Sequence, residues 1–170
     1  METYTIGHGN MPMPEFMSLL VRYEIAAVID VRSVPASRHV PQYDKGTIEQ
    51  ELEKRGIRYL YLADDEVGNC LGGRPKDPGC YVGGEVDYEL VRQRPWYKLW
   101  ISEVALYARK HRIALMCAEE DPYKCHRHHL LSQTLISQGM KVYHIRRDGS
   151  LEEARKEAKQ SLLSSYTRFS

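Results

Sequence analysis

A chain of 170 residues, 42% hydrophobic and 28% charged, is long enough to bury a core and has the composition of an ordinary globular domain. The 24 basic and 23 acidic residues leave a net charge of +1, so no overall field draws it to nucleic acid, and an anion site has to be built locally from arginines. No run reaches the roughly 18 apolar residues of a membrane span, the N-terminus lacks a basic-then-apolar leader, and the four cysteines form neither a disulfide scaffold nor paired CxxC motifs, so a reducing, cytoplasmic setting without membrane association is expected.

In chain order, residues 4–8 (YTIGH), 26–32 (AAVIDVR), 57–63 (IRYLYLA), 113–119 (IALMCAE) and 141–146 (KVYHIR) read as strands. They are short, rich in β-branched and aromatic residues, and too uniformly apolar to alternate, as parallel strands buried on both faces are. Helical patterns lie between them: 13–24 with Pro14 in the opening turn, 45–56 closing on Gly56, 94–111, and 126–139 ending at Gly139. From about 151 to 165, Leu151, Ala154, Ala158 and Leu162 share one face, which predicts a docked C-terminal helix. The alternation predicts one α/β domain over 1–170, a mainly parallel sheet flanked by helices in a Rossmann-like or rhodanese-like three-layer arrangement. Residues 64–94 hold six of the 12 glycines and read as a glycine-rich flap.

In such folds ligands gather outside the carboxyl ends of the strands. His8, Asp30, Arg32, Asp64, Cys117 and Glu119 are expected there. An isolated Asp or Arg after a strand ordinarily caps a helix or forms an ion pair. Convergence of several ionisable and thiol groups on one rim is what points to chemistry.

TIGHGN, VIDVRSVPASRHVPQYDK, LGGRP, LMCAEEDPYKCHRHHL and VYHI occur in this order, and together resemble the DUF488 family of small proteins of unknown function. Over residues 4 to 145 the resemblance places motif positions on His8, Asp30, Arg32, Pro35, Arg38, Gly72, Gly73, Cys117, Glu119, Pro122, Cys125, His126 and Arg127. It implies a relationship but no reaction. VIDVRSVPASRHVP is also similar to a strand of rhodanese-like domains, in which a later cysteine opens an anion cradle. Glu119, Glu120 and Asp121 oppose such a cradle here by their charge.

Two thiols are candidate nucleophiles. Pro122 ends the preceding strand, so a helix is expected near Lys124 with Cys125 in its first turn, where the dipole and Arg127 lower a thiol pKa; Cys117, at a strand end, is expected to be buried and slower. A redox pair of the two is a further reading. Cys117, Cys125, His126, His129 and His8 are legitimate metal ligand types, but seven residues separate the two cysteines, so neither a metal nor another cofactor is assigned. Arg32, Arg38, Arg74, Lys76 and Arg127 suit phosphate or carboxylate groups, and Tyr43, Tyr59, Tyr61, Tyr81 and Trp96 could stack on a base.

The resulting expectation is a polar cleft for a small anionic, phosphorylated ligand with thiol-dependent catalysis. Cys117 or Cys125 attacks, Glu119 or His8 moves a proton, Arg32 and Arg127 hold the anion with Arg38, Arg74 and His126 nearby, and Asp30 orients an arginine. The alternative is a noncatalytic nucleotide- or nucleic-acid-binding module.

Overall fold

The computed structural model describes residues 1–63 and 68–158. Strands β1 (Glu2–Gly7), β2 (Ala27–Asp30), β3 (Arg58–Leu60), β6 (Ile113–Cys117), β7 (Lys141–Ile145) and β8 (Leu151–Glu153) form one sheet in the order β3-β2-β6-β1-β7-β8. All neighbours run parallel except β7 and β8. A two-stranded hairpin, β4 (Tyr81–Val82) and β5 (Glu85–Val86), stands apart. The expected mixed α/β, mostly parallel architecture is therefore present.

The central strand explains the layering. All five residues of β6 are buried, Ile113, Leu115 and Cys117 joining one core and Ala114 and Met116 the other. A strand apolar on both faces is stable only between two covering layers. Helices α1 (Met13–Arg22) and α2 (Lys45–Glu53) cover one face, where Phe16, Leu20, Ile48 and Leu52 meet Ile6, Val28 and Met116. Helices α3 (Tyr88–Gln93), α4 (Pro95–Lys110) and α5 (Gln133–Ser137) cover the other, where Val91, Ile101, Val104 and Leu135 meet Ile29, Leu115 and Val142. The buried positions 97, 101, 104 and 108 of α4 follow the helical period, and Pro14 sits in the first turn of α1 as expected. No helix among the described residues is long and apolar enough to cross a membrane.

Three expectations need correction. The C-terminal helix is absent from its described part: Leu151–Glu153 pairs antiparallel with β7, and 154–158 is not helical. Asp148-Gly149 explains this, because Gly149 at φ 86° turns the chain and Arg146 N–H closes the hairpin on the Ser150 carbonyl. Residues 159–165 of that expectation, and Asp64, lie outside the described residues. Within 64–94, the described part contains a hairpin and a helix, and it buries Leu71, Cys80 and Val91 in the core. Finally, 126–139 is not one regular helix, since a π-helical turn over Arg127–Ser132 precedes α5.

Candidate functional site

The carboxyl ends of the parallel strands carry the polar residues, and the sheet divides them into two clusters. Tyr4 and Ile6 of β1 face the α1/α2 layer, and His8 continues that alternation; Asp30 follows Val28 in the same way. Asp30 is the hub of this first cluster. It accepts from Arg32 Nε at 2.9 Å and Nη2 at 2.7 Å, from the Arg32 backbone at 3.1 Å, and from the Tyr59 hydroxyl at 2.6 Å. Arg32 Nη2 also donates to the Tyr43 carbonyl, and Nη1 lies 3.3 Å from His8 Nε2.

His8 is equally committed. Its Nδ1 lies 2.8 Å from the Gly9 carbonyl, so that nitrogen carries the proton and Nε2 accepts from Arg32. The ring stacks on Tyr43 at 4.2 Å, and burial lowers its pKa. Every strong donor and acceptor here has a partner within the fold, and Arg32 is ion-paired with Asp30.

The second cluster lies on the α3/α4/α5 face. Cys117 ends β6, and its alternation with Met116 aims it toward that layer. Pro122–Lys124 forms a tight turn, and Cys125 follows in extended conformation, φ −135° and ψ 143°. Cys125 thus precedes the helix rather than occupying its first turn. It acts as a cap, its carbonyl accepting from His128 N–H at 3.1 Å and its sulfur from Arg127 N–H at 3.5 Å.

His126 Nε2 lies 2.8 Å from the Val31 carbonyl, which makes Nε2 the donor and turns Nδ1 toward both sulfurs, 3.9 Å from Cys117 Sγ and 3.6 Å from Cys125 Sγ. Those three atoms lie within 4.8 Å of one another and are donors of the kind that hold soft metal ions. His128, His129 and Glu157 form a second such group, nearer the surface.

The thiols do not titrate alike. The Cys125 thiol, helped by the Glu119 backbone N–H, holds Cys117 well below the ordinary thiol range despite its burial. Cys125 is pushed up, first by its hydrogen bond to Cys117 and then by burial. Within the pair the Cys125 thiol donates to Cys117, so the thiolate is favoured at Cys117 and disfavoured at Cys125.

Arg127 is 0% exposed. Thr5, alternating with Tyr4 and Ile6, faces it, and Arg127 Nη1 reaches the Thr5 hydroxyl at 3.4 Å while Nη2 donates to the Glu120 carbonyl at 2.6 Å. Its Nε has no hydrogen-bond partner among the described residues, and burial lowers its pKa. Neither Asp30 nor Glu119 pairs with it: Asp30 belongs to Arg32, and the Glu119 side chain is exposed. Glu120 is turned outward to Arg146 and the Arg147 backbone. Behind Thr5 runs a chain sequence reading missed, with His144 Nδ1 2.7 Å from the Thr5 hydroxyl and His144 Nε2 2.9 Å from His128 Nδ1. The signal available was His144 alone in an apolar strand, which discloses no partner.

Two glycines fix the rim. A β-carbon on Gly7 would overlap the Glu119 carbonyl, and one on Gly72 would overlap the Ser33 backbone. The second contact brings the 68–94 segment against the β2 exit, where Arg74 N–H donates to Ser33 Oγ at 2.9 Å. The Arg74 and Arg38 side chains remain exposed, outside both clusters. The aromatic residues expected to stack on bases are engaged internally: Tyr43 with the Met11 carbonyl, Tyr59 with Asp30, Tyr61 with the Ser33 carbonyl, Tyr81 with the Pro75 carbonyl and Trp96 with Asp77.

Comparison with known families is decided by residues 12–134, which match the family described as Domain of unknown function DUF488. The chain belongs to the DUF488 family. That match spans β2, β6 and the Cys125–Arg127 turn, so both clusters lie largely within the family's extent, with His8, Thr5 and His144 outside it. No curated protein and no solved structure matches the chain.

Proposed function

We propose that this DUF488 protein carries a thiol-dependent site for a small anionic ligand, with Cys117 as the reacting thiolate. The observation that carries the reading is Arg127, a residue whose backbone N–H meets the Cys125 sulfur and whose guanidinium is removed from water with no carboxylate ion pair among the described residues. A buried cation needs nearby negative charge, and a thiolate at Cys117 supplies it. An anion, or negative charge developing in a leaving group, would meet the same guanidinium.

In the catalytic form, Cys117 attacks an electrophilic centre of the ligand and the leaving group takes the proton that Cys125 retains. Exposed Glu119, two residues beyond Cys117, is the carboxylate available to relay a replacement proton from solvent to Cys125. Exposed Arg38 and Arg74 attract the ligand electrostatically. Asp30, Arg32 and His8 act at one remove, by holding the β2 exit whose Val31 carbonyl orients His126.

Mass-resolved iodoacetamide labelling of the reduced, metal-free chain across pH tests this. Cys117 is expected to label with a midpoint below the ordinary thiol value of about 8.5, Cys125 above it, and phosphate or sulfate is expected to slow labelling at Cys117. Ordinary midpoints at both thiols, with no effect of either anion, would remove the nucleophile and leave the noncatalytic binding module as the alternative.

A further inference from the structure

Sequence spacing argues against a metal at the cysteines, yet folding cancels the seven-residue separation. A strand end and a helix cap bring Cys117 Sγ, Cys125 Sγ and His126 Nδ1 to within 4.8 Å of one another. We infer that these three atoms form a binding site for one soft divalent cation of the zinc class.

Spacing is the first support. Zinc bonds of about 2.3 Å to sulfur and about 2.0–2.1 Å to nitrogen, at a tetrahedral angle, set a sulfur-to-nitrogen edge of about 3.6 Å. The two edges here are 3.6 Å and 3.9 Å. Orientation is the second. The Val31 carbonyl fixes the Nε2–H tautomer, so the neutral ring aims its Nδ1 lone pair between the sulfurs, the outer hydrogen bond by which proteins orient a metal-ligating imidazole.

The proton count is the third support. With the Cys125 hydrogen on Cys117, the Nδ1 lone pair beside both sulfurs has no hydrogen to accept. A cation gives all three electron pairs a common partner. Arg127 N–H already donates to Cys125 Sγ, the kind of contact that stabilises a ligating thiolate.

Three protein donors leave a tetrahedral ion one exchangeable position, as in sites that act on a ligand rather than closed structural ones. The inference rests on the proposed function only in requiring thiolates at 117 and 125. It adds a consequence: sulfur lone pairs engaged in metal bonds are withheld from electrophiles, so metal occupancy gates the reactivity of Cys117. The surface group of His128, His129 and Glu157 is the weaker candidate, because His129 Nδ1 already meets Glu157 at 2.6 Å and His129 Nε2 the Tyr123 carbonyl at 2.7 Å.

The test titrates Co2+ into the full-length, reduced, chelator-stripped chain. One equivalent is expected to produce intense sulfur-to-cobalt charge-transfer absorption that Zn2+ bleaches; Cys125→Ser should abolish it and His129→Ala should leave it unchanged. In the unmutated chain, where folding is not at issue, Zn2+ should slow alkylation of Cys117 and Cys125 by about tenfold or more, reversibly with chelator, and spare Cys70 and Cys80. No charge-transfer band together with unchanged alkylation overturns the metal site, as does a band that survives Cys125→Ser. The thiol reading is judged separately, by labelling midpoints in the metal-free chain. A low Cys117 midpoint without cobalt binding sinks the metal inference alone, and cobalt binding with ordinary midpoints sinks the nucleophile alone.

Discussion

Arg32 and Arg127 are both buried arginines at the carboxyl rim of one sheet, on opposite faces, and their surroundings differ in kind. Arg32 forms a bidentate pair with Asp30, whose remaining capacity goes to Tyr59 and the Arg32 backbone. The Arg127 guanidinium meets a carbonyl and a hydroxyl, keeps Nε without a partner among the described residues, and has only its backbone N–H on a sulfur, that of Cys125. A buried guanidinium with a matched carboxylate is a finished structural element. One answered by a titratable sulfur, as proposed for Arg127, would change its electrostatics whenever that sulfur is protonated, alkylated or bound, and on that proposal the difference separates a brace from a working site.

The largest expected effect falls on the brace. Asp30→Asn keeps the shape but strips the charge, leaving Arg32 buried and uncompensated at a cost of about 3–5 kcal/mol. Urea unfolding measures it. The double variant Asp30→Asn/Arg32→Met, with no buried charge left to strand, should recover a large part of that loss. If Asp30→Asn is nearly neutral, Arg32 does not depend on its carboxylate and the contrast between the two arginines disappears.

A smaller effect sharpens the other side. His144, behind Arg127, has its pKa lowered to about 3 by burial first and then by Arg127, against 6.5 when unperturbed. Between those values the unfolded chain binds more protons than the folded one, so stability falls with pH, beginning below about 6.5 and levelling off below about 3. From pH 7 to pH 5 this single group accounts for about 2 kcal/mol of lost stability. A His144→Gln variant should show a correspondingly flatter stability profile over that window, and an unchanged slope would place His144 in a more polar setting than its hydrogen bonds to Thr5 and His128 suggest.

The contrast between the clusters also marks what sequence makes legible. Strand pattern in β1, β2, β6 and β7 was readable because apolar runs bounded by glycine and polar turns have few other solutions, and parallel order then places Asp30 and Cys117 at one rim. Which face each side chain takes is fixed by a period of two, so one residue decides it: Asp30 and Arg32 go to one layer, Cys117 to the other. The proximity of Cys117 to Cys125 was not readable, because it depends on the Pro122–Lys124 turn folding a seven-residue loop back on the strand end. Residues 151–153 misled for a related reason. Their helical spacing was real, but pairing with β7 offered hydrogen bonds that an isolated helix could not match.

The smallest stability effect is expected where the chemical effect is most specific. Arg127→Met retains much of the side chain's bulk in a buried place and removes a cation that has no carboxylate partner among the described residues to strand. It gives up the bond to the Glu120 carbonyl and the longer contact to Thr5, at a cost of about 1–2 kcal/mol. The thiols should register the loss of charge out of proportion to this. The Cys117 labelling midpoint should rise by about one unit or more, because the cation that favours its thiolate is gone, and protection by phosphate should vanish with it. Arg32→Met is the matched control, expected to destabilise the fold strongly by stranding Asp30 while moving the Cys117 midpoint little. Should Arg127→Met instead cost as much stability as Asp30→Asn and leave the Cys117 midpoint in place, Arg127 is a brace like Arg32, and the charge on its face is answered by something other than Cys117.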